Sequence, residues 1–472
     1  MLSRPYGTSP RVGLPLSGPP GCRGGAGKLR CEKTMTVEIE LKFIAAPEAI
    51  AALPGKVSTL KSRHSAPQQL TNIYYETADN TLREQGIGLR IRGFDGQYEM
   101  TVKTSGKVVG GLHQRPEYNI PLEEPVLDLA RFPAEIWPEG CDVVMLQAEL
   151  QPLFKTDFMR EKWVVTYQQS EIEIALDQGA VQAGELSEPL AEIELELKEG
   201  NVADLLHLAA WLGEEGGLRQ GGFSKAARGF WLARGNGARK IRPIPVWTPP
   251  AKATVEQGMA GVLEQALSHW QYHEELWLRG DKQARHAMIE ALGMVRQALA
   301  LFGGLVPRKA TSELRNQFNA LEPLLAEPEA NAAALCFSAD YLKCKLALTR
   351  YLANAEWRTF VDEKSRKKLD GSFKRFADIM LSRVAADIKE AFSQPLTDEG
   401  YRDQLPRLTR QIIALHLLAG AYPQSAWQGY IENWQALQQS IVQQQQAWLE
   451  AARKHAVQQP AFWLNGAPAK AD

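Results

Sequence analysis

Hydrophobic and polar positions alternate with a period of two from Met35 to about Arg234. The alternating runs fall near 36–44 (TVEIELKFI), 71–77 (TNIYYET), 87–94 (IGLRIRGF), 97–104 (QYEMTVKT), 113–121 (HQRPEYNIP), 156–167 (TDFMREKWVVTY), 170–177 (SEIEIALD) and 188–198 (EPLAEIELELK). Successive strand side chains point to opposite faces, so this period reads as β-structure. Asp95-Gly96 and Gly110-Gly111 supply turn signals between runs. The pattern predicts about eight short, mostly antiparallel strands, with helices over 47–62 and 201–215. Eight strands are the number at which a closed sheet becomes just wide enough to hold side chains or one small ligand.

Beyond residues 235–252 (GNGARKIRPIPVWTPPAK) the period changes to 3.6. Helices are predicted near 254–279, 283–303, 311–326, 339–355, 372–393, 401–420 and 425–456, an all-α bundle. The fold class is α+β: an eight-stranded antiparallel tunnel or barrel with flanking helices, then the bundle. The domain boundaries follow as a disordered extension over 1–34, a strand domain over 35–234, a linker over 235–252, a helical domain over 253–460 and a tail over 461–472. The extension is rich in Gly, Pro and Arg, without periodicity or the continuous apolar stretch of a signal peptide. Met35 is an alternative first residue, and a transit peptide is the other reading of 1–34.

The charged face of each strand changes the picture. Glu38, Glu40 and Lys42 share one face of the first run, opposite Val37, Ile39, Leu41 and Phe43. Arg90 and Arg92 share a face of the third. Glu99, Thr101 and Lys103 align on the next, then Arg115 with Glu117, Arg160 with Lys162, Glu171 and Glu173 with Asp177, and Glu192 with Glu194 and Glu196. A solvated outer face is the usual meaning of such alternation. Here carboxylates come in E-x-E sets and cations in R-x-R sets, and an apolar face recurs on every strand. A barrel with its apolar side against helices would leave a polar lumen without large apolar filling. Paired carboxylates without His or Cys suit Mg²⁺ or Mn²⁺, and clustered Arg and Lys suit phosphate oxygens. Two unit charges 4 Å apart interact by about 4 kcal/mol at an effective dielectric near 20. Cations crowded in one lumen therefore require carboxylates, and then a polyanion with its metal, to balance them.

Composition adds exclusions. The net charge of −1 over 472 residues points to neither nucleic acid nor a membrane surface. No apolar run reaches the roughly 18 residues of a spanning helix. The five cysteines (Cys22, Cys31, Cys141, Cys336, Cys344) form no disulfide framework or CxxC site, which suits a reducing, cytoplasmic compartment.

The segment VEIELKF (37–43) carries Glu38-x-Glu40-x-Lys42, followed in order by GLRIR (88–92), EMTVK (99–103), RPEYN (115–119), FMREKW (158–163), IALDQG (174–179), AEIELELK (191–198) and SKAARG (224–229). This series resembles the CYTH, or triphosphate tunnel, superfamily. The resemblance implies a tunnel that binds triphosphate through Arg90, Arg92, Lys103, Arg160 and Lys225, with Lys42 assisting and Arg115 and Glu117 in the lumen. It implies divalent metal on Glu38, Glu40, Glu194 and Glu196 with Asp177 nearby, Glu192 being a ligand or lying at the mouth, and Arg228 structural. Glu38, Glu40 and Lys42 would form the catalytic core, with Glu40 or Glu194 as the base for water attacking the terminal phosphorus. The substrate implied is inorganic triphosphate. The alternatives are an organic triphosphate enzyme (thiamine triphosphatase, nucleoside triphosphatase or class IV adenylate cyclase) and a polyphosphate-binding scaffold.

Residues 255–460 resemble a CHAD domain, most clearly at RHAMIEALGMVRQALALF (285–302). That resemblance implies contact with long polyphosphate. Against it, Ile289, Gly293 and Met294 stand where the family's helical arginines are expected, leaving His286 and Arg296, and the second repeat keeps Arg402, Arg407 and Arg410. The charge run around Lys364, Arg366, Lys367, Lys368, Lys374 and Arg375 reads as a solvated helix face.

Overall fold

The computed structural model describes residues 35–234 and 239–464; the disorder expected for 1–34, the start of the linker at 235–238 and residues 465–472 of the tail lie outside them. Ten strands form one antiparallel sheet: β1 (Met35–Ala45), β2 (Ser62–Glu76), β3 (Gly88–Phe94), β4 (Gln97–Lys103), β5 (Lys107–Val109), β6 (Leu112–Leu122), β7 (Gln151–Tyr167), β8 (Ser170–Ala183), β9 (Leu186–Glu199) and β10 (Leu218–Gln220). Eight of them run in the order β1-β9-β8-β7-β2-β3-β4-β6, and β6 pairs back onto β1, so the sheet closes. The short β5 and β10 flank the barrel at β6 and β1.

The apolar faces look outward, as the alternation predicts, and three sets of elements cover them. Leu41, Phe43, Ile174 and Leu195 pack under Leu205, Leu208 and Leu212 of the helix Val202–Leu212, and under Leu342 and Leu346 of the helical domain. Leu89, Met100, Val102 and Ile120 lie under Phe132, Ile136, Trp137 and Leu146 of the β6–β7 connection.

The lumen departs from expectation at one end. The helix Lys225–Ala233 seats Leu232 among Leu70, Phe154, Phe158, Val181 and Leu190, all on the strand faces that also carry the lumen charges. An apolar plug therefore fills that end. A Cβ on Gly229 would stand 2.0 Å from the Phe154 ring, so only glycine permits this approach.

Four other expectations shift. The helix expected over 47–62 stops at Val57, and residues 62–69 are the largely exposed start of β2, where two polar faces hide the period of two. The helix expected over 425–456 is two, Gln424–Val442 and Gln446–Gln458. The Gln443–Gln446 run offers no apolar stripe, and Gln444 turns left-handed at φ 54°. The described part of the linker packs: Trp247 meets Phe373 edge-on with centroids 5.4 Å apart. At the far end, Trp463 is buried against the helical core and donates to Ser382 Oγ at 2.8 Å, so packing runs past 460.

Candidate active site in the barrel lumen

Register brings the strand charges together. Glu40 lies opposite Glu196, and Lys42 opposite Glu194, across the β1–β9 pair; Glu38 lies opposite Arg115 across β1–β6. Residues directly opposite in an antiparallel pair share a face, so these groups all enter one lumen. They line a cavity of about 910 Å³ together with Arg90, Arg92, Lys103, Glu117, Arg160 and Lys225. Strand order sets who faces whom: β9 lies across the barrel from β3, and β1 from β2. The carboxylates of β1 and β9 thus confront the guanidiniums of β3.

At the plugged end a closed ionic floor forms. Asp177 takes two hydrogen bonds from Arg160, Nε to Oδ1 at 2.7 Å and Nη2 to Oδ2 at 2.6 Å. Lys225 Nζ lies 2.7 Å from Asp177, 2.8 Å from Glu192 and 2.7 Å from Glu194. Lys42 also donates to Glu194, Arg160 reaches it at 2.7 Å, and Arg228 donates to Glu192 at 3.1 Å. Lys225 opens its helix, capped by Ser224 Oγ accepting from Ala227 N at 3.1 Å. A cation there opposes the helix dipole, and the three carboxylates outweigh that cost. Burial alone would raise the Glu194 carboxyl, but Lys225, Lys42 and Arg160 hold it well below the usual range. Asp177 is likewise held low against burial by Arg160 and Lys225.

The opposite wall is only partly compensated. Arg92 has no ion-pair partner among the described residues; its Nε donates to Asn72 Oδ1 at 2.8 Å. Burial, then Arg90 and Arg160, push its pKa down to about 9. Among the described residues Arg90 has one ion-pair partner, Glu117 at 3.8 Å, and its buried Nε has no hydrogen-bond partner; burial lowers its pKa, but Tyr74, Glu117 and Glu38 outweigh burial and the balance is raised. Tyr74 lies beside them: burial raises its hydroxyl, but Arg90, Arg92 and Lys225 together outweigh burial, and the balance is lowered.

On the acidic side Glu38 accepts from Lys103 at 2.6 and 2.7 Å, and Glu40 from Arg115 at 2.9 Å. Glu196 differs from its neighbours. Burial raises its carboxyl above the ordinary value, and Lys198 at 2.8 Å offsets this only in part.

The donor chemistry can be tested for a divalent ion. One oxygen each of Asp177, Glu192 and Glu194 lie within 4.8 Å of one another, a spacing that would hold an ion. Those oxygens are already neutralised by Lys42, Arg160, Lys225 and Arg228, and Asp177 and Glu192 do not line the cavity. Glu38, Glu40 and Glu196 are paired too, with Lys103, Arg115 and Lys198, but they line the cavity and offer it hard oxygen donors of the kind Mg²⁺ and Mn²⁺ prefer.

Asn72 and Tyr74 escaped the sequence reading. Both sit on the lumen side of β2, two residues apart in TNIYYET, and that spacing was the available signal. In the helical domain four of the ten cations singled out are paired: Arg296 with Glu322 at 2.5 Å, Arg407 with Asp387 at 2.5 Å, Lys374 with Asp378 at 2.8 Å and Lys367 with Glu363 at 3.1 Å. His286 is exposed, 3.8 Å from Glu290. Among the described residues no helix is long and apolar enough to cross a membrane.

Comparison with known proteins divides the chain in the same way. Residues 36–230 match the CYTH domain family and residues 261–455 the CHAD domain family. An inorganic triphosphatase of Haemophilus influenzae is 43% identical over 206 residues; the match spans 43% of this chain and 56% of that relative, so the chain covers little more than half of the relative's length. A Hippeastrum adenylyl cyclase homologue described as having a dominant triphosphatase activity aligns at 22% identity and TM-score 0.33, over 41% of this chain and 94% of its own. The CHAD domain of Ricinus communis aligns at 17% identity and TM-score 0.32, over 47% of this chain and 90% of its own.

Proposed function

We propose that this chain, which carries a CYTH domain followed by a CHAD domain, hydrolyses inorganic triphosphate to pyrophosphate and phosphate. One observation carries the reading: within one lumen, two sparsely paired guanidiniums on β3, Arg92 having no ion-pair partner among the described residues, face a wall of carboxylates on β1 and β9. A binder of bare polyanion would be weakened by those carboxylates. A binder of metal alone would have no use for the guanidiniums. A metal-bound phosphate chain satisfies both walls.

Arg90, Arg92 and Arg160 grip the phosphate oxygens, Arg forming paired hydrogen bonds to two oxygens at once. Lys103 and Lys225 add point charge along the chain. Glu38 and Glu40 would hold Mg²⁺ or Mn²⁺, which when bound would draw charge from the phosphate oxygens. Asp177, Glu192 and Glu194 fix Arg160, Lys225 and Lys42 in place instead. Glu194, held ionised by three cations, is a poor base. Glu196, with its raised carboxyl, is matched better to taking a proton from water. Water attacks the terminal phosphorus as the bridging P–O bond breaks. The proton passes to Glu196, and pyrophosphate leaves with the bond's electron pair among Arg160 and Lys225.

A second reading, an organic triphosphate as substrate, is favoured by Tyr74, Tyr75 and Phe230, which line the same cavity and could flank a ring. Phosphate release from tripolyphosphate, thiamine triphosphate, ATP and long polyphosphate, each with Mg²⁺ or Mn²⁺, separates the cases. Preference for tripolyphosphate supports the main reading. Equal or faster ATP turnover overturns it in favour of the second, and tight polyphosphate binding without release points to a scaffold.

A further inference from the structure

The helical domain reaches the lumen through two separate sets of contacts. The first begins at β10, which pairs with β1 through Gln220 opposite Phe43, while Gly221 N donates to Lys42 O at 2.9 Å. Four residues on, the chain arrives at Lys225. This segment is held from the far side by the helical domain. Arg219 reaches Glu274 at 3.2 Å and Glu275 at 3.0 Å. Lys345 Nζ donates to the Gln220 carbonyl at 3.2 Å and to Glu274 at 3.0 Å, and Gln220 Nε2 donates to Thr349 at 2.8 Å. Glu274 and Lys345 are fully buried, side chains 0% and 1% exposed. Tyr341, itself bonded to Trp270 Nε1 at 2.6 Å, also donates to Glu274. The Gly110 turn closes on the same spot: a Cβ there would meet Gln220 at 2.3 Å and Thr349 at 2.5 Å.

The second set runs along the other flank. Arg279, just past the helix Val255–Leu278, donates to both oxygens of Glu188 on β9, at 2.9 and 3.1 Å. Glu188 lies 3.8 Å from Arg228, which binds Glu192, which in turn lies 2.8 Å from Lys225. Both routes end at the same ammonium group.

We propose that the helical domain is the positioning frame for the lysine end of the lumen: Glu274 and Lys345 through the β10 segment, and Arg279 through Glu188 and Arg228, set where Lys225 and its carboxylates stand against the phosphate chain. This rests on the proposed phosphohydrolase reading. Glu274, Lys345 and Arg279 touch no substrate; they are positioning residues. A buried ion pair is more cheaply removed whole than halved, because one partner alone leaves an uncompensated charge. The Glu274→Gln/Lys345→Met double variant removes both charges at once, and Arg279→Ala cuts the second route at a site that is partly exposed.

The test uses the full chain: wild type, the double variant, Arg279→Ala, Arg279→Lys as the conservative rescue, and Lys367→Ala as a control on a distant exposed pair. Calorimetry gives the Kd for tripolyphosphate, turnover gives KM and kcat, and thermal unfolding reports folding. A misplacement of about 1 Å far from the chemistry can cost on the order of 10²-fold. The double variant and Arg279→Ala should each raise Kd and KM at least about 10-fold, with kcat changed much less; Arg279→Lys should restore most of the loss and Lys367→Ala should match wild type. A folded double variant and a folded Arg279→Ala that both bind tripolyphosphate like wild type overturn the inference. Wild-type binding without turnover would instead count against the hydrolase reading, and the Kd series still decides the positioning role.

Discussion

The floor and one wall of the same lumen hold similar charges in different states of pairing. At the floor, Asp177, Glu192 and Glu194 are matched by Lys42, Arg160, Lys225 and Arg228. At the β3 wall, Arg90 and Arg92 stand side by side with one distant carboxylate between them. The matched set is architecture: it fixes cations that the unmatched set then joins in holding a ligand. Uncompensated charge, rather than charge density, marks the place built for something the chain does not supply.

The largest effect is expected at the carboxylates outside both sets, Glu38 and Glu40, which Lys103 and Arg115 hold at the cavity wall. Glu38→Gln/Glu40→Gln should reduce tripolyphosphate turnover by at least about 10³-fold, because the ion's oxygen donors are lost. Steady-state phosphate release checks this, with a cooperative unfolding transition showing that the fold survives the loss of the partners of Lys103 and Arg115. At the floor the order of effects reverses. Asp177→Asn leaves Arg160 and Lys225 short of a buried partner, so stability should fall by about 3–5 kcal/mol, read from urea unfolding. At the β3 wall, Arg92→Met should raise KM about 10- to 100-fold, as removal of a charge-assisted contact does. It should leave stability unchanged or higher, because it relieves repulsion from Arg90 and Arg160.

The smallest effect concerns pH. Glu194 and Asp177 are held below their ordinary values of 4.5 and 3.8. Their contribution to stability is complete above those values and is lost as pH falls through the lowered folded-state values. Urea midpoints should therefore hold steady down to the ordinary carboxylate range and drop below it, with a shallower drop in Asp177→Asn. The Arg90–Arg92 wall, cationic throughout that range, should contribute no such step.

How much of this was legible in the sequence depended on side-chain spacing. The period of two in TVEIELKFI and EPLAEIELELK placed Glu40 and Glu194 on one face, and the closed barrel put that face inside. What spacing could not reveal was depth along the lumen. Glu192 and Glu194 look equivalent two residues apart, yet only Glu194 lines the cavity. The apolar plug was hidden because Phe154 and Phe158 belong to the lumen face, while the residue that fills the space among them, Leu232, comes from a helix some 70 residues later in the chain. The β10 strand was too short at three residues to show a period. Glu274 and Lys345 read as ordinary charges on amphipathic helices, and only the packing of two domains buries them together.

On this reading metal and phosphate chain meet between the β1–β9 carboxylates and the β3 guanidiniums. Its most direct test is a crystal of the full chain grown with tripolyphosphate and Mn²⁺, with the ion located by its anomalous signal. The account predicts a peak within coordination distance of Glu38 and Glu40, with phosphate oxygens on Arg90 and Arg92. A peak seated among Asp177, Glu192 and Glu194, or phosphate bound outside the barrel, would contradict it.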